Sequence, residues 1–88
     1  MTKYEYAGEM QEVCFKISQV WKVLEEEGLQ DFYYAASEGF VEIRNNYSVE
    51  EADQVISTDQ EEQLESTAAY LKELRKQAAE KLDKEISI

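Results

Sequence analysis

The chain has 88 residues and a formal net charge of −11, with one cysteine and no histidine. That length makes one domain, residues 1–88, with a thin core: a chain this short buries about 60–65% of its unfolded surface. The missing imidazole removes the usual metal ligand and neutral-pH proton shuttle, a lone cysteine closes no internal disulfide, and no apolar run nears the roughly 18 residues of a membrane span.

The first residues, Met1-Thr2-Lys3-Tyr4-Glu5, show no basic region followed by an apolar one, so no signal peptide is read and a cytoplasmic location is expected. From about residue 4 to residue 27 the pattern predicts a helix. Tyr6, Met10, Val13, Ile17, Val20 and Leu24 recur in steps of 4 and 3, the spacing of a heptad seam. Ala7, Cys14 and Trp21 widen the stripe, which suits a helix flanked by two neighbours. Gly28 reads as the stop, because glycine adopts the left-handed conformation that ends helices. Glu25, Glu26 and Glu27 would then crowd that helix's C-terminal end, against its dipole.

Residues 32–44 carry Phe32, Tyr33, Tyr34, Phe40, Val41 and Ile43, which favour strand. Ser37-Glu38-Gly39 has the length and the glycine of a three-residue hairpin loop. The expectation is an antiparallel hairpin with Tyr33, Ala35, Val41 and Ile43 on the helices. Phe32, Tyr34, Phe40, Glu42 and Arg44 would share its other face. A short helix from Asp31 to Gly39 is the competing reading.

Ser48-Val49-Glu50-Glu51 reads as a capping box that opens a short helix, about 49–56. Thr58-Asp59-Gln60-Glu61 reads as a second, opening a long helix at about 59–85. Leu64, Ala68, Leu71, Leu74, Ala78 and Leu82 form its stripe, and Lys81 and Lys84 suit its C-terminal end. The expected fold is therefore α+β and mostly helical. Two long antiparallel helices, about 4–27 and 59–85, hold a β-hairpin (about 32–44) and the short helix between them. The expected core is Val13, Ile17, Val20, Trp21, Leu24, Leu71, Leu74 and Ala78.

The charge is segregated: residues 25–65 carry a net −12 while both flanks are close to neutral. A surface tuned for solubility mixes its signs, and aromatics among the acids supply interface anchors. The candidate protein-binding residues are Glu25, Glu26, Glu27, Asp31, Phe32, Tyr34, Glu38, Phe40, Glu42, Glu50, Glu51 and Asp53. Carboxylates so arrayed can stand where phosphates would lie in a basic groove. In size and charge the chain resembles small acidic proteins that block nucleic-acid enzymes, phage-encoded inhibitors and DNA mimics among them, a likeness of class rather than of motif.

The expected function is a non-enzymatic inhibitor that masks a basic, nucleic-acid-binding surface of a partner protein. Direct binding of nucleic acid or an anionic membrane is not expected, because like charges repel. The alternative is an assembly protein whose helices pair into a homo-oligomer such as a homodimer. An enzyme is not expected. Cys14 lies on the apolar stripe with no histidine to activate it, and the acids form no calcium-binding loop. No cofactor or metal is expected.

Overall fold

The computed structural model describes residues 1–83, which form α1 (Lys3–Val23), α2 (Glu27–Asn46), α3 (Val49–Ala52) and α4 (Thr58–Leu82). Lys84 and the expected end of the last helix at residue 85 lie outside the described residues. Thr2 caps α1: its hydroxyl accepts from the Glu5 amide at 3.2 Å, and the Glu5 carboxylate accepts from the Thr2 amide at 3.1 Å. This is a reciprocal capping box. Ser57 and Gln60 form another at the start of α4, one residue earlier than the sequence pattern suggests.

α1 stops before Gly28. The Glu26 amide donates to Trp21 O at 2.9 Å, and the Glu25 amide to Lys22 O at 3.0 Å. Those two bonds make a Schellman motif, whose left-handed position glycine usually fills. Here Glu25 fills it, with φ 60°. Gly28 lies instead in the first turn of α2. Glu26 and Glu27 therefore stand at the N-terminal end of α2, where the helix dipole favours acids. The conflict expected at the end of α1 does not arise for them.

The expected β-hairpin is not formed. Residues 27–46 are one helix, and among the described residues there is no strand, only an isolated bridge between Thr2 and Val55. The fold class is therefore all-α rather than α+β. The physical reason is visible in the spacing. Leu29, Tyr33, Ala36, Phe40, Ile43 and Tyr47 recur in steps of 4 and 3, a helical period, and Tyr33, Ala36 and Phe40 of that row pack against the core. Strand propensity is a weak preference that packing overrides, and an isolated hairpin is marginal in water. Gly39 is tolerated inside α2 at a cost of about 0.5–1 kcal/mol relative to alanine.

One helix in place of a hairpin also reverses the direction of everything after it. A hairpin returns the chain to the end where it entered, whereas a single helix carries it across. α2 thus runs antiparallel to α1. Tyr6 meets Phe40 edge to face with centroids 6.2 Å apart, Phe15 meets Tyr34 at 6.3 Å, and the Arg44 guanidinium lies 5.6 Å from the Tyr4 ring centroid. α4 starts beside the N-terminal end of α1 and runs parallel to it, correcting the expected antiparallel pair. Tyr6 bonds Gln63 near one end, and Ile17 and Val20 pack with Leu71, Leu74 and Ala78 farther along. Backbone bonds fix the crossing: the Lys3 amide donates to Gln54 O at 2.8 Å and the Ile56 amide to Met1 O at 3.1 Å.

α1 is the central element, with α2 and α4 on either side, in a body of 47 × 22 × 17 Å. One core cluster joins Ile17, Val20, Leu71, Leu74 and Ala78, with Val13, Trp21, Leu24 and Tyr33 part-buried around it. Of the residues expected in the core, Ile17, Val20, Leu71, Leu74 and Ala78 are buried, while Val13, Trp21 and Leu24 lie part-buried at its edge. A second cluster gathers Tyr6, Met10, Cys14 and Ile56, with Ala36, Phe40 and Leu64 at its edge. Ser18 and Ser37 are wholly buried. Each hydroxyl donates to a carbonyl of its own helix, Phe15 O at 2.6 Å and Tyr34 O at 2.7 Å, so neither needs a partner across the interface. The helix expected over 49–56 is the single turn α3, capped by the Ser48 hydroxyl. Ile56, beyond that turn, is buried, while Val49 and Val55 are open to solvent.

Candidate protein-binding site on helix α2

The twelve candidate residues do not form one compact patch. Glu25 and Glu26 lie at the turn between α1 and α2, and Glu50, Glu51 and Asp53 lie around α3. α2 separates the two groups by about 30 Å at 1.5 Å per residue. Along α2 itself the helix sorts residues that a hairpin would have mixed. Glu27, Asp31, Glu38 and Glu42 are spaced 4, 7 and 4 apart, which places them within about 60° of one another on a helix. All four are exposed. Among the described residues none of them forms an ion pair; the pair Lys16–Glu12, at 3.0 Å, belongs to α1.

Tyr34 borders this acidic flank on its inner side and packs on Phe15. Phe40 is turned inward onto Tyr6 and is part-buried, so it supports the core rather than a contact. Phe32 lies on the opposite flank of α2, 65% exposed. The common face expected for Phe32, Tyr34, Phe40, Glu42 and Arg44 therefore does not exist. Arg44, the single base of α2, lies over Tyr4 and against Gly8. It leaves the acidic flank uncompensated.

At the C-terminal end of α2 the acids continue into the next element. A shallow groove lined by Gly39, Glu42, Ile43, Tyr47 and Glu51 brings the carboxylates of Glu42 and Glu51 to one surface. A second shallow groove runs over Ala35, Glu38, Gly39 and Glu42. Both are open surface features, unlike the concave sites that enclose small ligands.

The apolar flank of α2 was not legible as a contact surface from the strand reading. Leu29, Phe32 and Ile43 are exposed there, with Ala36 between them. Phe32 meets Tyr33 edge to face at 5.2 Å, and Tyr33 stacks on Tyr70 of α4 at 6.0 Å. Burial raises the Tyr33 hydroxyl pKa, and the neighbouring Tyr70 adds to it. The signal that could have shown this flank was the spacing of Leu29, Phe32, Ala36 and Ile43, 3, 4 and 7 apart.

Cys14 is buried, and burial pushes its thiol pKa above the ordinary value. A thiol held neutral is a poor nucleophile. Among the described residues no group of histidine, cysteine, aspartate and glutamate is arranged to hold a metal ion, and no helix is long and apolar enough to cross a membrane. Comparison with protein-family models, with curated proteins and with solved structures finds no match.

Proposed function

We propose that this protein is a non-enzymatic antagonist that binds a basic surface of a partner protein, one that otherwise holds nucleic acid, and masks it. The observation that carries the reading is the one-sided flank Glu27, Asp31, Glu38 and Glu42, exposed and without ion pairs among the described residues. It extends along α2 for about 22 Å at 1.5 Å per residue. Desolvating four like charges on one helix face favours a partner that brings the opposite charge.

The carboxylates fall about every 7 Å, roughly half the linear charge density of one DNA strand. The resemblance to nucleic acid is therefore one of field sign and extent, not of phosphate-by-phosphate geometry.

Affinity capture from cells with the immobilised protein tests the reading. The captured partner should be basic and bind nucleic acid, and excess duplex DNA or high salt should release it. Capture that neither DNA nor salt disturbs would overturn the masking role.

A further inference from the structure

We infer that the outward side of α2 receives an amphipathic basic helix of the partner, seated between the acidic flank and the apolar flank. This rests on the masking function proposed above and adds the shape and chemistry of what is bound. Leu29, Phe32 and Ile43 are exposed by 40%, 65% and 47%. With Ala36 they are spaced 3, 4 and 7 apart, within about 60° on the helix. The acids Glu27, Asp31, Glu38 and Glu42 occupy an equal arc on the other side of the outward face. Between the two arcs lies a crest of Gly28, Ala35, Gly39 and Asn46. Nothing stands within 4 Å of where a Cβ would be on Gly28 or Gly39, so a partner backbone can approach this crest closely.

Charge complementarity selects the occupant. A loop carrying only basic residues would satisfy the carboxylates and leave Phe32 and Leu29 in water. An apolar helix would cover Phe32 and leave the acids unpaired at its edge. A helix with apolar anchors one turn apart and Lys or Arg along one side meets both arcs at once. A second copy of this chain is disfavoured. Antiparallel packing of two α2 helices about a two-fold axis puts both acidic flanks on the same side of the contact, and each copy brings a net charge of −11.

Two fluorescent synthetic peptides of about 18 residues test the inference at about 0.1 M salt, where exposed charges are felt over about 10 Å. One carries Leu at i, i+3, i+4 and i+7 spacing with Arg on one flank. The other has the same composition, shuffled so that no apolar face forms. The full-length protein, Phe32→Ala, and the triple variant Asp31→Lys with Glu38→Lys and Glu42→Lys are titrated by anisotropy. All four positions are exposed, and thermal melts confirm that the variants fold. The amphipathic peptide should bind at least about tenfold tighter than the shuffled one. Phe32→Ala should erase most of that difference, and the triple reversal should weaken both peptides. Equal binding of the two peptides, binding of neither, or indifference to Phe32→Ala overturns the helix occupant. Masking by charge then still stands if the triple reversal weakens whatever binds. A triple reversal without effect overturns the masking reading itself. A dimer in sedimentation that Phe32→Ala dissolves would assign the face to a second copy and overturn the inference.

Discussion

The Tyr6 hydroxyl donates to Gln63 Oε1 at 2.6 Å, tying the first turns of α1 to the first turns of α4. That bond is a signature of the parallel arrangement, because in an antiparallel pair Tyr6 would face the far end of α4. A double-mutant cycle with Tyr6→Phe and Gln63→Ala should give a coupling of about 0.5–1.5 kcal/mol, the net value of one such bond. A coupling of zero would place the two residues apart.

Ile17 is wholly buried at the centre of the first cluster. Ile17→Ala should cost about 2–5 kcal/mol, out of a total that is about 5–15 kcal/mol for ordinary domains. In a chain this short each kcal/mol is about 4–8 °C in melting temperature. Ile43→Ala, at a half-exposed position, should shift the melt far less. Calorimetric melts of both variants check the ranking.

Gly39 separates helix from hairpin. In a hairpin loop it would supply positive φ, and a side chain would be strained there. In α2 it is an interior helical residue with open space around its missing Cβ. Gly39→Ala should therefore stabilise the fold by about 0.5–1 kcal/mol. A loss of stability would argue for the hairpin.

Glu25 offers a second stabilising change. Glycine at this left-handed position relieves backbone strain but adds about 0.4–1 kcal/mol of unfolded-state entropy. Glu25→Gly should thus be neutral or stabilising, by up to about 1.6 kcal/mol. Denaturant unfolding curves measure it, and clear destabilisation would contradict the Schellman geometry.

High pH should loosen the core. Burial raises the Cys14 thiol above its ordinary 9.0 and the Tyr6 and Tyr33 hydroxyls above their ordinary 10.0. A raised folded pKa means the neutral form is favoured in the fold. The contribution is full below the unfolded pKa and is lost as pH rises through the folded one. Melting temperature should begin to fall at about pH 8, where the unfolded thiol starts to ionise, and more steeply once the phenols follow. Cys14→Ala should remove the earliest part of that decline. An unchanged profile in the variant would exclude the thiol as its source.

The sequence carried the α1 and α4 cores because their stripes are long, regular and uninterrupted. Val13, Ile17 and Val20 could hardly face anywhere but inward. α2 was harder to read for a physical reason. Phe32, Tyr33, Tyr34, Phe40 and Val41 favour strand locally, and Gly39 imitates a turn. The inward-facing Tyr33, Ala36, Ser37 and Phe40 decide against them through packing on the core that no local window contains. That one element also set the direction of α4 and split the candidate residues, turning Phe40 inward and Phe32 outward. The acids were legible by composition, yet their alignment in one flank depended on the helix. Glu26 and Glu27 lost their anomaly once they belonged to α2, and Glu25 acquired one that only backbone geometry reveals.

On the proposed function, the acidic flank of α2 engages a basic partner surface. Association rates of the captured partner, measured by surface plasmon resonance at about 0.1 M and 1 M salt, test it most directly. Screening shortens from about 10 Å to about 3 Å over that range. The wild-type association rate should fall by at least about tenfold. Asp31→Lys, Glu38→Lys and Glu42→Lys together should slow association at low salt and flatten the salt dependence, with the melt intact. Equal rates for the wild type and the triple variant at both salt concentrations would contradict the claim.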